Sequence, residues 1–253
     1  MNIKERTILK KILKLNDVEL LILKEIPTWA KNTCKEILKE HEKGKPLEYI
    51  LKEAYFSGLY FYVDENVLIP RLETEILVQC VAYHINELKG KVSILDLCTG
   101  SGCVLISVLN LTENAKGCGI DISESALIIA EKNAKSNNIV NIKFMKNDML
   151  ENIKNKYDVI VSNPPYIKTD EIANLEKTVT KYEPHIALDG GYDGLYFYKY
   201  IRENFHNNLN KNGTLFMEIG HDQGEAIKSL FDGYKVVIKK DYSGFDRIAV
   251  IYT

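Results

Sequence analysis

The stretch VSILDLCTGSG, residues 92–102, decides the fold of this chain. An apolar run ends in a loop that holds Gly100 and Gly102, and the apolar segment CVLISVL follows directly. Glycines let the backbone pass close to a ligand, and the N–H groups that open a helix point toward it. The sequence therefore predicts a buried strand, a ligand-binding loop and a helix, in that order.

Apolar runs alternate with helical patterns from residue 92 onward. The runs are VSILDL (92–97), GCGIDI (117–122), IKFM (142–145), YDVIVS (157–162) and TLFMEIG (214–220). This alternation indicates a parallel sheet with helices on both faces. Two later runs, YKVVIKKD (234–241) and RIAVIYT (247–253), are too close together for a crossover helix and must be antiparallel neighbours. The predicted fold is α/β, a Rossmann-like doubly wound sheet that ends in an antiparallel hairpin.

The first 46 residues predict a separate group of helices. Helical spacing of apolar residues over 8–15 indicates a first helix, and Asn16 with Glu19 resembles a capping box that starts a second helix over 18–25. Thr28 is the expected cap of a third helix, which should end at Gly44. We therefore predict a small N-terminal helical domain, and we assign it to substrate recognition.

A short aromatic stretch follows the helices. In YFSGLYFYV (55–63), Gly58 lies between β-favouring runs, which predicts a hairpin or bent ribbon. The predicted organisation is a helical domain over 1–46, a β-ribbon linker over 47–69 and the sheet domain over 70–253.

The composition excludes several classes of protein. The chain has 253 residues, 45% of them hydrophobic, and a formal net charge of −2, which argues against binding nucleic acid by bulk charge. Its five cysteines form no C-x-x-C pair, as expected of free thiols in a reducing compartment. No signal-peptide pattern or membrane-length apolar run is present, so we expect a cytoplasmic protein without membrane contact. The histidines lack partners at ligand spacing, and we expect no metal.

The glycine loop and the ends of the next two strands point to a nucleoside cofactor. Asp96 followed by Gly100-Ser101-Gly102 resembles the S-adenosylmethionine loop of class I methyltransferases, whereas a dinucleotide loop would have a third glycine where Leu105 stands. At the end of the second strand, Asp121 is placed to accept hydrogen bonds from both ribose hydroxyls, or alternatively to cap the next helix, for which Ser123 is the better candidate. After the third strand, Asp148 can accept from an adenine amino group, and Met149 offers a backbone N–H beside the ring.

The fourth strand leads into Asn163-Pro164-Pro165-Tyr166. Two prolines fix an extended path without donors, so that the Asn163 side-chain oxygen and the Pro164 carbonyl can both accept from one planar NH₂ group. Tyr166 offers that group an aromatic face. A conjugated nitrogen is a poor nucleophile, and two acceptors raise its electron density toward an electrophilic methyl group without a strong base. The motif therefore predicts methyl transfer to a planar NH₂ group, with Asn163, Pro164 and Tyr166 in the catalytic role.

Three further stretches resemble the release factor glutamine methyltransferases. They are IPRLETE (69–75), in which Leu72 replaces the family's usual proline, the segment from Tyr182 to Leu195, and Asp241-x-x-Gly244-x-x-Arg247. The resemblance covers nearly the whole chain. It implies methylation of the N5 amide nitrogen of the glutamine in the Gly-Gly-Gln loop of peptide chain release factors, with S-adenosylmethionine as cofactor and S-adenosylhomocysteine as product.

The resemblance also implies roles for individual residues. The glutamine-binding motif matches Asn163, Pro164, Pro165 and Tyr166. Expected cofactor-binding positions are Cys98, Thr99, Gly100, Ser101, Gly102, Asp121, Asp148, Met149 and Asn163. Arg71, Glu73 and Glu75 are interpreted as organising the lid of the cofactor pocket, although ordinary helix N-terminal charge explains the two glutamates nearly as well.

The segment 182–195 is expected to border the substrate entrance. There Gly190-Gly191 would permit close approach of another chain, and His185 is assigned a positioning or structural role because the mechanism needs no base. The rival hypotheses are an adenine-N6 methyltransferase acting on DNA or RNA, which would need a basic groove, and a non-catalytic cofactor-binding module. We expect a monomer whose partner is a protein loop, without direct nucleic-acid contact.

Overall fold

The structure is a computed structural model that describes residues 1–253. Its helices are α1 (Ile3–Leu13), α2 (Asp17–Ile22), α3 (Thr28–Glu42), α4 (Leu47–Leu51), α5 (Thr74–Glu87), α6 (Cys103–Asn110), α7 (Glu124–Ser136), α8 (Lys177–Tyr182), α9 (Tyr196–Asn208) and α10 (Gly224–Leu230). Its strands are β1 (Ala54–Phe56), β2 (Leu59–Phe61), β3 (Val92–Leu97), β4 (Ala115–Asp121), β5 (Ile142–Lys146), β6 (Tyr157–Ser162), β7 (Leu209–Glu218), β8 (Lys235–Lys240) and β9 (Asp246–Tyr252). No helix is both long and apolar enough to cross a bilayer.

Seven strands form one sheet in the order β5-β4-β3-β6-β7-β9-β8. Strands β3 to β7 pair in parallel, and β9 lies antiparallel between β7 and β8. The order reverses next to β3, so the loops that follow β3 and β6 open at the switch point where ligands bind in such sheets. The predicted doubly wound sheet with a closing antiparallel hairpin is confirmed.

Both faces of the sheet are buried, because its apolar runs supply side chains to each. One cluster includes Ile94, Val159 and Phe216 and packs against α5 and α6. The cluster on the other side includes Leu95, Ile160 and helix α9 residues such as Phe205. Burial on two faces explains why these strands are continuous apolar runs rather than alternating ones.

The N-terminal helices differ from the sequence prediction at their ends. Helix α2 begins with the predicted capping box, in which Asn16 Oδ1 accepts from Glu19 N at 2.9 Å and Glu19 Oε2 accepts from Asn16 N at 2.7 Å. It ends at Ile22, short of residue 25. Thr28 is not a cap: Pro27 holds the N-cap position of α3 without a side-chain hydrogen bond. Proline has no side-chain acceptor, so the first N–H groups of α3 receive no hydrogen bond from the N-cap side chain.

The range predicted as a β-ribbon linker begins with a helix. Leu47 and Leu51 of α4 pack against the core of the N-terminal helices, so helical structure continues past residue 46. The ribbon itself is the antiparallel pair β1–β2, which turns at Ser57 and Gly58 with φ of 50° and 82°. Beyond it, the side chain of Asn133 on α7 exchanges hydrogen bonds with the backbone of Tyr62 and also donates to the Ser101 carbonyl at 2.9 Å. This fully buried amide therefore joins the linker to the glycine loop.

Candidate active site

The glycine loop after β3 is held in place by close packing at Gly102 and by a hydrogen bond between Thr99 and Asp96. A Cβ on Gly102 would lie 2.9 Å from Ile106 Cδ1 and 3.2 Å from Ala130 Cβ, so this glycine permits close packing of α6 and α7. Gly100 has a φ of 55°, and a Cβ there would meet nothing nearer than 4.0 Å, which leaves bare backbone facing the cavity. Beneath the loop, Thr99 Oγ1 donates to Asp96 Oδ2 at 2.6 Å. Burial raises the pKa of Asp96 to about 7, against the effect of this hydrogen bond.

Asp121 stands at the end of β4 and contacts the same loop. Its Oδ2 accepts from Gly100 N at 2.8 Å and its Oδ1 accepts from Ser123 N at 2.9 Å. Ser123 is the N-cap of α7, and its Oγ accepts from Ala126 N. Ser123, and not Asp121, is therefore the residue that caps this helix. Burial raises the pKa of Asp121, although the backbone donors favour its charged form. The carboxylate therefore fixes the loop while lining the cavity.

A cavity of about 310 Å³ opens beside this loop. Every predicted site residue lines it except Gly102, Pro164 and Tyr166. Apolar contacts come from Val104, Ile120 and Met149, and Asp148 is solvent-exposed at the rim. The Cys98 thiol lies 3.4 Å from Met149 Sδ, and burial raises the pKa of this thiol, which disfavours the reactive thiolate. The volume and the mixture of apolar walls with a few polar groups are typical of a small-molecule site.

The amide end of the site is built from Asn163 and the helix that opens at Thr74. Asn163 Nδ2 donates to Thr74 Oγ1 at 3.2 Å, whereas its Oδ1 accepts no hydrogen bond within the chain. Thr74 is buried, and both residues line the cavity. The free acceptor of the Asn163 amide is therefore the one available to a ligand.

Tyr166 lies behind the cavity wall and is fixed at both ends. Its hydroxyl is 3.4 Å from Glu218 Oε1, and its carbonyl accepts from Gln223 Nε2 at 3.1 Å. Burial and the neighbouring Glu218 raise the pKa of Tyr166, which keeps the phenol neutral. The ring is a fixed part of the wall rather than a titrating group.

The segment expected at the substrate entrance pairs with the motif itself. Ile167 forms a parallel bridge with Asp189, and a Cβ on Gly190 would lie 2.7 Å from Tyr166 Cα. The expectation that Gly190 permits close approach of another chain is wrong, because the backbone of Tyr166 in the same chain already lies against it. Pro184, Ile186 and Ala187 line the cavity, whereas His185 does not and instead contacts the Thr180 carbonyl at 3.0 Å.

The IPRLETE stretch connects three parts of the site. Arg71 lines the cavity, and its Nη2 lies 2.7 and 2.8 Å from the two oxygens of buried Glu183. Burial raises the pKa of Glu183, while Arg71 opposes that shift. Glu75 Oε1 accepts from Ser57 N at 2.7 Å and so holds the ribbon turn. Glu73 is the N-cap residue of α5 and makes no capping hydrogen bond.

Several residues that shape the site were missed by sequence analysis. They are Asn133, Thr74, Glu183, Glu218 and Gln223, all of them buried polar side chains. Thr74 and Glu183 lie in the stretches 69–75 and 182–195 that resemble the family, and Glu218 is a charged residue inside the apolar run TLFMEIG. The others meet their partners across long separations in sequence, which no local pattern reports.

The family model described as the methyltransferase small domain matches residues 72–190. A release factor glutamine methyltransferase of Thermodesulfovibrio yellowstonii is 39% identical over 99% of this chain and 92% of its own. Another from Flavobacterium psychrophilum is 40% identical over 93% of this chain and 81% of its own. The crystal structure of a methyltransferase from Pyrococcus furiosus, 19% identical, covers 86% of this chain and 96% of its own with a TM-score of 0.57.

Proposed function

Because this chain belongs to the release factor glutamine methyltransferase family, we propose that it methylates the N5 amide nitrogen of the glutamine in the Gly-Gly-Gln loop of peptide chain release factors. S-adenosylmethionine is the proposed methyl donor. The single observation that carries the proposal is the orientation of Asn163, whose Nδ2 is engaged by Thr74 while its Oδ1 is left free at the cavity.

That orientation suits a substrate amide that receives the methyl group. Asn163 Oδ1 takes one N–H of the substrate, and the carbonyl of Pro164, next in the chain, is assigned the other. The two hydrogen-bond acceptors polarise the N–H bonds. This raises the electron density on a nitrogen whose lone pair is delocalised into its carbonyl. Pro165, which lines the cavity, is assigned to hold the substrate in the plane that this arrangement requires, and Tyr166 is assigned to support the motif from behind the wall. S-adenosylhomocysteine is the leaving group, and the methylated nitrogen then loses one N–H proton to water, so no side chain needs to act as a strong base.

The cavity also suits the proposed cofactor, which supplies an electrophilic sulfonium methyl group when bound. Asp121, already held by two backbone donors, is assigned to the ribose hydroxyls. Asp148 and Met149 are assigned to the adenine. The loop from Cys98 to Gly102, with its bare backbone at Gly100, is assigned to the amino-acid part of the cofactor. Asn163 lies where cofactor and substrate meet.

We assign substrate recognition to the N-terminal helices. Val18, Leu21, Ile22 and Trp29 are each more than half exposed, which is unusual for large apolar side chains on neighbouring helices. A protein substrate could cover them. We also propose that the enzyme acts in the cytoplasm as a monomer, a location compatible with its five free cysteines.

Mass spectrometry of the acceptor tests this function. Purified release factor is incubated with the protein and S-adenosylmethionine, and one added methyl group is expected on the glutamine of the Gly-Gly-Gln loop. Asn163→Ala should bind the cofactor normally and transfer methyl groups at least ~10²-fold more slowly, the size of effect seen for one transition-state hydrogen bond. Asn114→Ala serves as the matched control, because Asn114 is half-buried outside the cavity and donates one side-chain hydrogen bond to the Gly90 carbonyl. Methyl groups found in duplex DNA or RNA but not in the release factor would favour the adenine-N6 alternative.

A further inference from the structure

We propose that Arg71 binds the cofactor directly: its guanidinium pairs with the carboxylate in the amino-acid part of S-adenosylmethionine. This inference rests on the proposed cofactor, and it gives Arg71 a contact with the ligand in addition to its pairing with Glu183. Neither the glycine loop over 98–102 nor the Asn-Pro-Pro-Tyr motif contains a positively charged side chain that could take this group.

Arg71 supplies the only cationic side chain in the wall of the cavity. The residues that line the cavity include no lysine, no histidine and no second arginine. The acidic side chains in the same wall are Asp96, Asp121 and Asp148. S-adenosylmethionine carries a carboxylate besides its ammonium and sulfonium groups, and a carboxylate that leaves water for a partly enclosed site needs a cation or hydrogen-bond donors. Among the charged side chains of the wall, only Arg71 meets that need.

The Arg71 guanidinium keeps donors available for a ligand. Its pairing with Glu183 uses a single nitrogen, Nη2, which lies 2.7 and 2.8 Å from the two carboxyl oxygens. Nε and Nη1 donate no hydrogen bond within the chain, and the side chain is 37% exposed. A guanidinium presents its N–H donors in a planar fork, which suits the two oxygens of a carboxylate. Arg71 can therefore serve Glu183 and a ligand carboxylate at the same time.

The order of the strands places Arg71 at the correct end of the cavity. Asp148 follows β5 and Asp121 follows β4, and these residues are assigned to the adenine and the ribose. The glycine loop follows β3, and Asn163 follows β6 on the other side of it. The Arg71 carbonyl accepts from Thr74 N at 3.1 Å, and Thr74 Oγ1 accepts from Asn163 Nδ2 at 3.2 Å.

This is the end at which the amino-acid part of the cofactor must lie. The sulfonium has to stand beside Asn163 for its methyl group to reach the substrate amide, and a short carbon chain joins the sulfur to the carboxylate. Arg71 is connected to Asn163 through Thr74 alone, whereas the acidic residues of the wall lie toward the adenosine end. The position of the cation therefore matches the position expected of the carboxylate.

Arg71 is held in place before any ligand binds. Its partner Glu183 has a side chain that is only 2% exposed. In the segment before Arg71, the Val67 carbonyl accepts from the hydroxyl of fully buried Tyr49 at 2.6 Å. A long side chain that is already ordered loses less rotamer freedom on binding than a free surface arginine does. The buried carboxylate thus orients the guanidinium for a second partner.

The alternative is that Arg71 only joins the segment before α5 to the segment after α8, without contact to the cofactor. The two roles differ in their response to a ligand without a carboxylate. If Arg71 binds the carboxylate, loss of the guanidinium weakens only those ligands that carry this group. If Arg71 only joins the two segments, its loss weakens every ligand of the cavity to the same extent.

Isothermal titration with S-adenosylhomocysteine and with its decarboxylated analogue distinguishes the two roles. The analogue keeps the adenosine, the sulfur and the ammonium group. We expect the unaltered protein to bind the analogue roughly 10- to 100-fold more weakly, the effect of one hydrogen-bonded pair of charged groups. In Arg71→Gln, binding of S-adenosylhomocysteine should weaken by a similar factor, while binding of the analogue should change by less than about threefold. The preference for the carboxylate should therefore nearly disappear.

Glu183 supplies the matched variants. Glu183→Gln removes the negative charge of the pair but keeps Arg71 and an amide oxygen that can accept from it, so most of the preference should remain. Arg71→Gln leaves the buried Glu183 carboxylate without its cation, which could impair folding. The double variant Arg71→Gln with Glu183→Gln removes both charges, and it should show the same loss of preference as Arg71→Gln. Circular dichroism confirms that each variant is folded.

The outcomes separate this inference from the proposed function, because the titrations need no release factor. Equal weakening of both ligands in Arg71→Gln, or a full preference retained in Arg71→Gln and in the double variant, would overturn the inference. A loss of preference in Glu183→Gln as large as that in Arg71→Gln would contradict it as well. Binding of neither ligand by the unaltered protein would count against the proposed cofactor itself, and the inference would fail with it.

Discussion

The Arg71 guanidinium holds both oxygens of the Glu183 carboxylate from one nitrogen, Nη2, across 112 residues of sequence. The Glu183 side chain is 2% exposed and that of Arg71 is 37% exposed. The pair thus joins the segment before α5 to the segment that borders the cavity.

Breaking this pair from one side should destabilise the protein. Arg71→Gln leaves the buried Glu183 without its cation, and we expect a loss of about 1–3 kcal/mol, at the low end because Arg71 is partly in water. Chemical denaturation measures the free energy of unfolding. Glu40→Gln, which breaks the exposed Lys43 pair, is the control and should change little. Equal effects of the two variants would show that burial of Glu183 does not matter.

Asp121 should contribute to cofactor affinity through the ribose. We expect Asp121→Ala to weaken S-adenosylhomocysteine binding at least ~10-fold, since two hydrogen bonds to a charged group are lost. Isothermal titration with an analogue lacking the ribose hydroxyls separates this role from support of Gly100. The unaltered protein should prefer the natural ligand, and the variant should lose that preference. A variant that keeps the preference would mean that Asp121 acts only through the loop.

Gly190 should not tolerate a side chain. A Cβ there would lie 2.7 and 2.8 Å from backbone atoms of Tyr166, which cannot move aside without shifting the motif. We expect Gly190→Ala to cost roughly 1–3 kcal/mol, as overpacking does, and to lower kcat. Gly90→Ala is the comparison: at a φ of 85° with nothing within 4 Å, it carries backbone strain only and should leave kcat unchanged. Normal activity of Gly190→Ala would show that the motif backbone can relax.

The free energy of unfolding should fall as the pH rises from weakly acidic to neutral values. Burial raises the pKa of Asp96 from 3.8 and that of Glu218 from 4.5, each to about 7. In the window between those values the folded chain binds more protons than the unfolded chain, so raising the pH removes stability until both groups are ionised. The pKa of Glu218 is lowered by Thr74, Arg247 and Tyr166 and raised by Glu73. The pKa of Asp96 is lowered by Thr99 and raised by Asp121.

Thermal unfolding from pH 5 to 8 measures this slope. Glu218→Gln should flatten it by removing one titration, whereas exposed Glu40→Gln should not. An identical slope in the unaltered protein and in Glu218→Gln would exclude Glu218 as a contributor.

The sequence predicted best where a residue's role follows from its immediate neighbours. Continuous apolar runs predicted the sheet and its final hairpin, and Asn16 with Glu19 predicted the cap of α2. Helix α4 was missed because five residues carry too little periodicity. Thr74 and Glu218 were given no role for a different reason: Thr74 contacts Asn163 and Glu218 contacts Tyr166 across long separations in sequence, which no local spacing reports.

The position of β9 between β7 and β8 has a consequence for synthesis on the ribosome. The two strands that flank the gap are made before the strand that fills it, so the sheet must wait with an open slot until residues 246–252 emerge. Arg247, whose charge lowers the pKa of Glu218, arrives with that last strand. Until then Glu218 is an acidic group on an unfinished part of the sheet without that cation. Domains of this kind fold as units. The environment of Glu218, which contacts Tyr166 of the amide-binding motif, would therefore be among the last parts of the enzyme to form.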